Sequence, residues 1–247
     1  DTTAPTATVQ YKTNPFRAFL NDITFGLFFK KTLDVTVQAA DLGSGMDTVE
    51  YYKAPAAVSD PQGITGWTLL GTNGGTFAVN QNEKFVLYLR LTDKAGNISI
   101  MYEGLVVYTD SAVSTTDIQY VLTSNQDQQA SVTLNGNTVA GVSNGAATLV
   151  NGTDYTVAGN VITFKASYLE TLAAGPYVLT VSYHPMGEPF RAGGDNGAPA
   201  TTQINLMVNK AVRALTLTGA GSAYRYGDAP FHVGVSGNLG GGTPVYA

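Results

Sequence analysis

Apolar and polar side chains alternate with a period of two along most of the chain. Within 85–91, every second side chain is apolar: Phe85, Leu87, Leu89 and Leu91. The same alternation recurs at Tyr177, Leu179, Val181 and Tyr183. A β-strand with one buried face has this period, because successive side chains point to opposite sides of the sheet. Both segments are therefore predicted to be strands whose apolar side lines a core.

Further short strands are predicted between turn signals, and helical periodicity is nearly absent. The candidates are Leu33–Ala39, Thr48–Tyr52, Leu105–Tyr108, Ser131–Leu134, Tyr155–Val157, Val161–Phe164 and Gln203–Val208. Asn-Gly pairs such as Asn135-Gly136 and Asn144-Gly145 are typical hairpin turns. Short strands without long amphipathic helices between them predict an all-β fold of tandem Ig-like or fibronectin-III-like β-sandwiches.

One short helix is predicted to begin at Ser167. Ser167 and Glu170 have the spacing of a capping box, in which the serine and the glutamate each accept a hydrogen bond from a backbone N–H. Gly175 would supply the left-handed stop. The segment is predicted to connect strands rather than to form a helical layer.

Composition excludes several classes of function. The chain has 13 basic and 18 acidic residues, a formal charge of −5 and no basic run, which argues against binding to nucleic acid or to anionic membranes. No apolar stretch approaches the roughly 20 residues of a bilayer span. The lack of cysteine excludes disulfides and thiol chemistry. Because the first residue is not Met and no signal-peptide pattern is present, the chain is predicted to be part of a longer protein.

Length and two weakly apolar segments predict the domain organisation. A β-sandwich needs about 100 residues. Thr109–Thr116 and Asn209–Ala211 follow terminal strands, carry little that could pack and are predicted to be linkers. The predicted domains are 1–112, 113–208 and 209–247. The last is too short to close a sandwich and is expected to be the truncated start of a third Ig-like module.

Three motifs in 1–112 carry a resemblance to a known family. They are Asp1-Thr2-Thr3-Ala4-Pro5-Thr6, Asp41-Leu42-Gly43-Ser44-Gly45-Met46 and Thr92-Asp93-Lys94-Ala95-Gly96-Asn97. In this order and spacing, they resemble the bacterial Ig-like repeats of large surface proteins.

Residues 139–183 carry a second resemblance, through Leu149–Val157, Ser167–Leu172 and Gly175–Val181. These segments resemble the X-two Ig-like module of cellulosomal and other cell-surface proteins. The chain departs from that family at His184–Gly197, where prolines and glycines make the last turn unusually long. The tail, through Tyr226–Phe231 and Gly240–Gly242, resembles the first half of an MBG-type Ig-like repeat.

These resemblances imply tandem Ig-like modules outside a bacterial cell, in a cell-surface or secreted multidomain protein. The expected function is non-catalytic, as spacers that present neighbouring domains of the same chain. The alternatives are polysaccharide- or cell-wall-binding modules, or a surface adhesin. Nucleic acid and a membrane span are not expected, and neither is a cofactor, apart from a structural Ca²⁺.

The catalytic alternative depends on Gly141-Val142-Ser143-Asn144-Gly145, which has the spacing of a nucleophile elbow and is followed by Asp154 and His184. An elbow needs a strand before the serine and a helix after it. Here Asn144-Gly145 is a hairpin signal and a strand-like run follows. The segment is predicted to be a turn, and the chain not to be an enzyme.

Asp41 and Asp93 are the candidate metal ligands. In an Ig-like sandwich they would leave two strands whose following loops share one end of the domain. Two carboxylates and the carbonyls of Gly43 or Ala95 could then hold a Ca²⁺, which prefers six to eight oxygen ligands. The alternative is that each carboxylate accepts hydrogen bonds from the amides of its own turn.

Tyr52 and Trp67 are the candidate carbohydrate-binding residues, because stacking on a sugar ring needs an exposed aromatic face. Strand parity places Trp67 with Leu69 and Tyr51 with Val49, so both aromatics are predicted to point inward and Tyr52 outward. The alternative for Trp67 is therefore core packing.

Five of the ten phenylalanines lie close together: Phe16, Phe19, Phe25, Phe28 and Phe29. Exposed, they would form an adhesive patch. The alternative is core packing, with 16–20 on a helical turn and 25–29 starting a strand.

Overall fold

The computed structural model describes residues 1–192, 198–212, 215–219, 225–227 and 234–237. Within them, the chain forms two β-sandwiches, as the alternating pattern predicts. We call them module 1, which contains strands β1–β9, and module 2, which contains strands β10–β18. The fold class is therefore all-β, with one Ig-like sandwich following another.

Module 1 consists of a four-stranded and a five-stranded sheet. Its strands are β1 (Thr6–Tyr11), β2 (Arg17–Ala18), β3 (Asp22–Lys30), β4 (Leu33–Ala40), β5 (Met46–Ala54), β6 (Thr68–Gly71), β7 (Gly74–Val79), β8 (Glu83–Asp93) and β9 (Ile98–Tyr108). The sheet orders are β2-β1-β4-β7 and β3-β9-β8-β5-β6. Neighbouring strands are antiparallel except β3 and β9, which pair in parallel.

The core of module 1 lies between these sheets, because alternate side chains of each strand point inward. Phe85, Leu87, Leu89 and Leu91 of β8 all belong to it, as the sequence pattern predicts. They pack against the inward residues of the facing sheet, among them Val9, Val35 and Val37. Tyr51 packs against the same core and stacks on Phe77, with ring centroids 4.1 Å apart and planes 5° from parallel.

A second apolar cluster covers the outer face of the five-stranded sheet in module 1. Ala54, Ile64, Val86 and Tyr88 are buried there, and the half-buried rings of Tyr52, Trp67 and Tyr102 pack around them. The loop between β5 and β6, which contains a short 3₁₀ turn at Pro61–Gly63, lies over part of this face. The five-stranded sheet is therefore apolar on both sides, whereas an antiparallel sheet commonly has one face exposed to solvent.

Module 2 repeats this two-sheet plan. Its strands are β10 (Ala112–Val113), β11 (Asp117–Val121), β12 (Gln128–Thr133), β13 (Thr138–Asn144), β14 (Ala147–Thr148), β15 (Tyr155–Ala158), β16 (Val161–Phe164), β17 (Gly175–His184) and β18 (Thr202–Asn209). The sheet orders are β10-β12-β16-β15 and β11-β18-β17-β13-β14. Here β11 and β18 are the parallel pair, so in both modules an early strand pairs with the last one.

The core of module 2 is separate from that of module 1. Leu179, Val181 and Tyr183 of β17 point into it, as predicted, and Phe164 and Ile204 belong to the same buried cluster. Each sandwich thus has a main apolar core of its own.

The capping box predicted for the helix is wrong. The only α-helical turn of the described residues, α1, spans Ala166–Leu169, and the residue before it, Lys165, makes no capping bond through its side chain. Asp127 binds the first turn instead, by accepting a hydrogen bond from the Ala166 N–H at 2.8 Å. The N-cap is Lys165 rather than Ser167, so Glu170 is the C-cap and not the third residue of the helix. Glu170 accepts instead from the hydroxyl of Tyr120 and from the backbone N–H of Thr123.

Two other local predictions also differ from the structure. The segment 16–20 is extended and contains β2, not a helical turn, because Arg17 and Ala18 pair with Val9 and Thr8 of β1. The predicted linker 109–116 is largely ordered by module 2. Ala112 and Val113 pair with β12, and Ser111 is buried, with its hydroxyl donating to the carbonyl of Leu134.

Most of the predicted third module lies outside the described residues, including much of the motif 226–231 and all of 240–242. The described part forms a hairpin of β19 (Thr216–Thr218) and β20 (Gly234–Ser236). No helix in the described ranges is long and apolar enough to cross a membrane.

Candidate functional site

The loops at one end of module 1 bring three carboxylates together. Asp41 follows β4, and Asp93 ends β8. Asp1, which sequence reasoning did not single out as a ligand, precedes β1. Carboxylate oxygens of Asp1, Asp41 and Asp93 lie within 4.8 Å of one another. The structure therefore brings the two predicted metal ligands to the same place, with a third beside them.

Each carboxylate also accepts hydrogen bonds from nearby turns, as in the alternative considered above. Asp41 Oδ2 accepts from the N–H groups of Gly43 and Gly45, at 3.0 and 2.8 Å. Asp1 Oδ2 accepts from the Ser44 N–H at 2.8 Å. This approach needs a glycine at 43, because a Cβ there would lie 1.9 Å from Asp1 Oδ2. The Asp41 loop thus folds around two carboxylates.

Asp93 is the buried member of the cluster, with 1% of its surface exposed. Its two oxygens accept from the backbone N–H and the side-chain amide of Asn97, both at 2.8 Å. Burial alone would raise the pKa of Asp93, but these bonds and those involving Ser44 and Ala95 outweigh it and lower the pKa. The carboxylate is therefore ionised at neutral pH.

One oxygen of the cluster has no protein partner. Asp41 Oδ1 is the only buried side-chain nitrogen or oxygen atom of the described residues without a hydrogen bond. A buried carboxylate oxygen without a partner is costly. A cation is one ligand that would satisfy it, since oxygen atoms are the ligands that Ca²⁺ prefers.

Tyr52 and Trp67 lie side by side on the outer face of the five-stranded sheet. Their ring centroids are 6.2 Å apart and their planes are tilted by 60°. Tyr52 points outward and Tyr51 inward, as predicted. The prediction that Trp67 points inward is wrong: Trp67 belongs to the outer cluster. Trp67 shares a face with Leu69, as strand parity predicted, but that face is the outer one: Leu69 is exposed and pairs with Glu50, whereas Leu70 packs against the inner core.

One face of the Trp67 ring is partly covered by a neighbouring side chain. Its indole N–H donates to the carbonyl of Ile64 at 2.8 Å. The guanidinium carbon of Arg90 lies 4.8 Å from the ring centroid, and Glu50 holds Arg90 through a 2.7 Å ion pair. Arg90 therefore occupies part of the surface on which a sugar ring would stack.

Ser143 lies inside a β-hairpin. It pairs with Thr148 across the turn between β13 and β14, and β17 flanks it on the other side. The strand-turn-helix geometry of a nucleophile elbow is not present at this serine.

Sequence reasoning did not identify the buried Glu103 of module 1. Its side chain has no exposed surface and points inward from β9, between Met101 and Leu105. It accepts hydrogen bonds from the Tyr11 hydroxyl and from both terminal nitrogens of Arg17. The signal that could have shown it is a charge at an inward position of a strand, which needs a buried partner.

Comparison with known proteins identifies module 2. Residues 113–189 match the family model described as carbohydrate binding domain X2. Module 2 is an X2-type Ig-like module. The match begins within β10 and ends in the turn after β17, so it covers all but the last strand of what we now call the X2 module.

Two curated relatives are similar to larger parts of the chain. Cellulose-binding protein A of Clostridium cellulovorans is 41% identical over 81 residues, which are 33% of this chain and 4% of that protein. A xyloglucanase of a Paenibacillus species is 30% identical over 162 residues, which are 66% of this chain and 14% of the relative. The chain therefore spans less than one sixth of the length of these relatives.

Solved structures show more distant similarity. A tri-modular endo-β-1,4-glucanase from Bacillus licheniformis aligns with 83% of this chain and 38% of its own, at 13% identity and a TM-score of 0.37. A titin fragment with two Ig domains aligns with 85% of this chain and all of its own, at 11% identity and a TM-score of 0.35.

Proposed function

We propose that module 1 and the X2 module are non-catalytic spacer modules of a secreted, multidomain bacterial protein, in which they hold and present neighbouring domains. The relatives support this context, since each is much longer than the chain. Their names refer to cellulose and xyloglucan, so the domains presented would act on or bind plant polysaccharides.

The proposal depends on one observation: hydrogen bonds hold the short segment that connects the two modules. The carbonyl of Thr109 accepts from the side-chain amide of Asn137 at 2.8 Å. The carbonyl of Asp110 accepts from that of Asn135 at 2.9 Å. Both asparagines belong to the X2 module. A short connection held by hydrogen bonds limits bending, which is what a spacer requires.

Retention on insoluble polysaccharide tests this proposal. The full chain is mixed with cellulose, xylan, xyloglucan-coated cellulose or peptidoglycan, and the unbound fraction is measured over a range of protein concentrations. A spacer leaves the same unbound fraction as a non-binding reference protein of similar charge. Saturable retention on any of these polymers would replace the spacer with the second candidate.

The second candidate is polysaccharide binding, and the X2 match favours it, because that family is described as carbohydrate-binding. On module 1, the aromatic pair Tyr52 and Trp67 is our proposed contact surface. The adjacent rings support this, and the position of Arg90 over Trp67 argues for edge contacts rather than for flat stacking.

Single substitutions separate the two candidates. If Tyr52 and Trp67 bind polysaccharide, Tyr52→Ala or Trp67→Phe lowers retention while the thermal midpoint stays close to that of the wild type. Thr8→Ala is the control, because Thr8 is an exposed side chain of β1, in the four-stranded sheet that does not carry the aromatic pair. Equal retention by all variants would place any binding on the X2 module.

We also propose that Asp1, Asp41 and Asp93 hold a structural Ca²⁺ at the end of module 1. Three carboxylates within 4.8 Å and the unpartnered Asp41 Oδ1 support this proposal. Its role would be to fix the loops after β4 and β8 against the segment before β1.

A further inference from the structure

Module 1 carries an apolar patch on the outer face of β3 and β9. Phe28, Val106 and Tyr108 form it, and each has no exposed surface. These side chains point away from the core of module 1 and form a separate cluster. Something other than the sandwich that carries them must therefore cover them.

The cover comes from the X2 module. Met186 and Phe190, in the turn that follows β17, pack against the patch. The rings of Phe28 and Phe190 lie 5.1 Å apart between centroids, with planes tilted by 57°. This is the spacing and tilt of a favourable aromatic pair. The contact joins two modules whose main cores are separate.

An ion pair lies at the border of this contact. Lys84 Nζ of module 1 is 2.8 Å from Glu188 Oε1 of the X2 module, and about a third of each side chain is exposed. Lys84 also lies 5.1 Å from the ring centroid of Phe25. An exposed pair of this kind adds little free energy, but it selects one orientation of the two modules.

The turn 184–190 is held in shape by the X2 module itself. Met186 has a left-handed backbone, with φ of 49°, and its N–H donates to Asn137 Oδ1 at 3.0 Å. Gly136 lies directly below: a Cβ there would be 2.8 Å from Met186 Sδ. Asn137 therefore binds both the turn and the Thr109 carbonyl of the connection.

Asp110 links both modules from within the connection. Its Oδ2 is 2.9 Å from Lys30 Nζ of module 1. Its Oδ1 accepts from the Ala200 N–H of the X2 module at 3.0 Å. The polar contacts around 109–111 and the apolar contact at 186–190 thus join the modules at two separate places.

We propose that the turn 184–190 is a docking element that fixes the X2 module on the Phe28–Val106–Tyr108 patch, so that the two modules move as one rigid body. This deepens the proposed spacer function and rests on it. The family match extends to residue 189 and so includes most of the turn, while Phe190 lies just beyond it. The apolar contact lies apart from the hydrogen-bonded connection, so the modules are held at two places, and hinge motion about the connection is suppressed further.

Spin-label distances on the full chain test the proposal. The chain lacks cysteine, so Thr68→Cys in β6 and Thr148→Cys in β14 give one exposed label on each module. We expect a single narrow distance distribution. In the same background, Met186→Ser with Phe190→Ser broadens the distribution about twofold or more, because domain motion returns when the interface is lost. The control is Val178→Ser, which changes an exposed apolar residue of β17 away from the contact.

Reversing the charges of the exposed ion pair gives a second test, which leaves the apolar contact unchanged. Lys84→Glu or Glu188→Lys alone broadens the distribution or shifts its mean, and the double reversal restores the wild-type distribution. A broad distribution in the wild type, or no change in the Met186/Phe190 variant while circular dichroism shows both modules folded, would overturn the docking element. Neither outcome bears on retention by polysaccharide, so a failure of the docking element and a failure of the spacer function are distinguishable.

Discussion

The guanidinium of Arg17 donates two parallel hydrogen bonds to the carboxylate of Glu103. Arg17 Nη1 lies 3.0 Å from Oε2, and Nη2 lies 3.0 Å from Oε1. The Tyr11 hydroxyl and the Leu20 N–H donate to the same two oxygens. Four donors thus satisfy a carboxylate with no exposed surface, and they tie the segment 17–20 to β9.

Removing Arg17 should strongly destabilise module 1. Arg17→Ala leaves the buried Glu103 carboxylate without its counter-ion and with only the Tyr11 and Leu20 donors. Loss of one partner of a buried pair costs up to about 3–5 kcal/mol. Urea unfolding followed by circular dichroism measures this change. In the Arg17→Ala background, Glu103→Gln should recover part of the loss, because the unpaired charge is then gone. A loss below about 1 kcal/mol in Arg17→Ala would show that water reaches Glu103.

Glu170 should stabilise the X2 module through Tyr120. The buried Tyr120 hydroxyl and the Thr123 N–H both donate to Glu170 Oε1. Burial, followed by this hydrogen bond, raises the pKa of Tyr120. Glu170→Ala leaves two donors without their acceptor and should lower the free energy of unfolding by about 1–3 kcal/mol. Glu170→Gln keeps an acceptor and should cost less. Equal losses in the two variants would mean that the charge, not the hydrogen bonds, matters.

Much of the sandwich could be predicted because strand signals are local. The predicted Val161–Phe164 is β16 without change, and Leu33–Ala39 differs from β4 by one residue. The alternation of apolar and polar residues is lost where both faces of a strand are buried. In β9, Val106 and Tyr108 face the X2 module while Val107 faces the core. A run of consecutive apolar residues there was the available signal for the module interface.

Contacts between distant residues could not be predicted in the same way. Asp41 and Asp93 could be paired, because strand order in an Ig-like sandwich brings their loops together. Asp1 has no such marker, since a residue before the first strand can leave in several directions. The partner of Glu103 could not be predicted from the sequence either. Arg17 lies 86 residues away, in a two-residue strand that is too short to show a periodic pattern.

Acid should weaken the X2 module in part through Asp127. The hydrogen bond from the Ala166 N–H, followed by that from Lys165, lowers the pKa of Asp127 in the folded protein. The unfolded value is about 3.9, so this contribution is present above about pH 4 and is lost as the pH falls through the lower, folded pKa. Urea midpoints of the wild type and Asp127→Asn should therefore differ at neutral pH and converge in acid.

The control for this comparison is Asp47→Asn, which removes an exposed carboxylate from β5 of module 1. It should leave the acid dependence of the X2 module as in the wild type. A constant difference between Asp127→Asn and the wild type at every pH would indicate that the Asp127 contact does not depend on its charge.

Calcium should stabilise module 1 if Asp1, Asp41 and Asp93 bind it. A ligand that binds only the folded state raises the free energy of unfolding by about 2.7 kcal/mol at a hundred times its dissociation constant. Thermal midpoints in EDTA and in excess Ca²⁺ measure this difference. Asp93→Asn should abolish it, because the amide keeps the size of the side chain but removes the charge of the buried ligand. Asp117→Asn, in the X2 module, should leave it intact. An equal wild-type midpoint in EDTA and Ca²⁺ would show that the turn amides alone account for the three carboxylates.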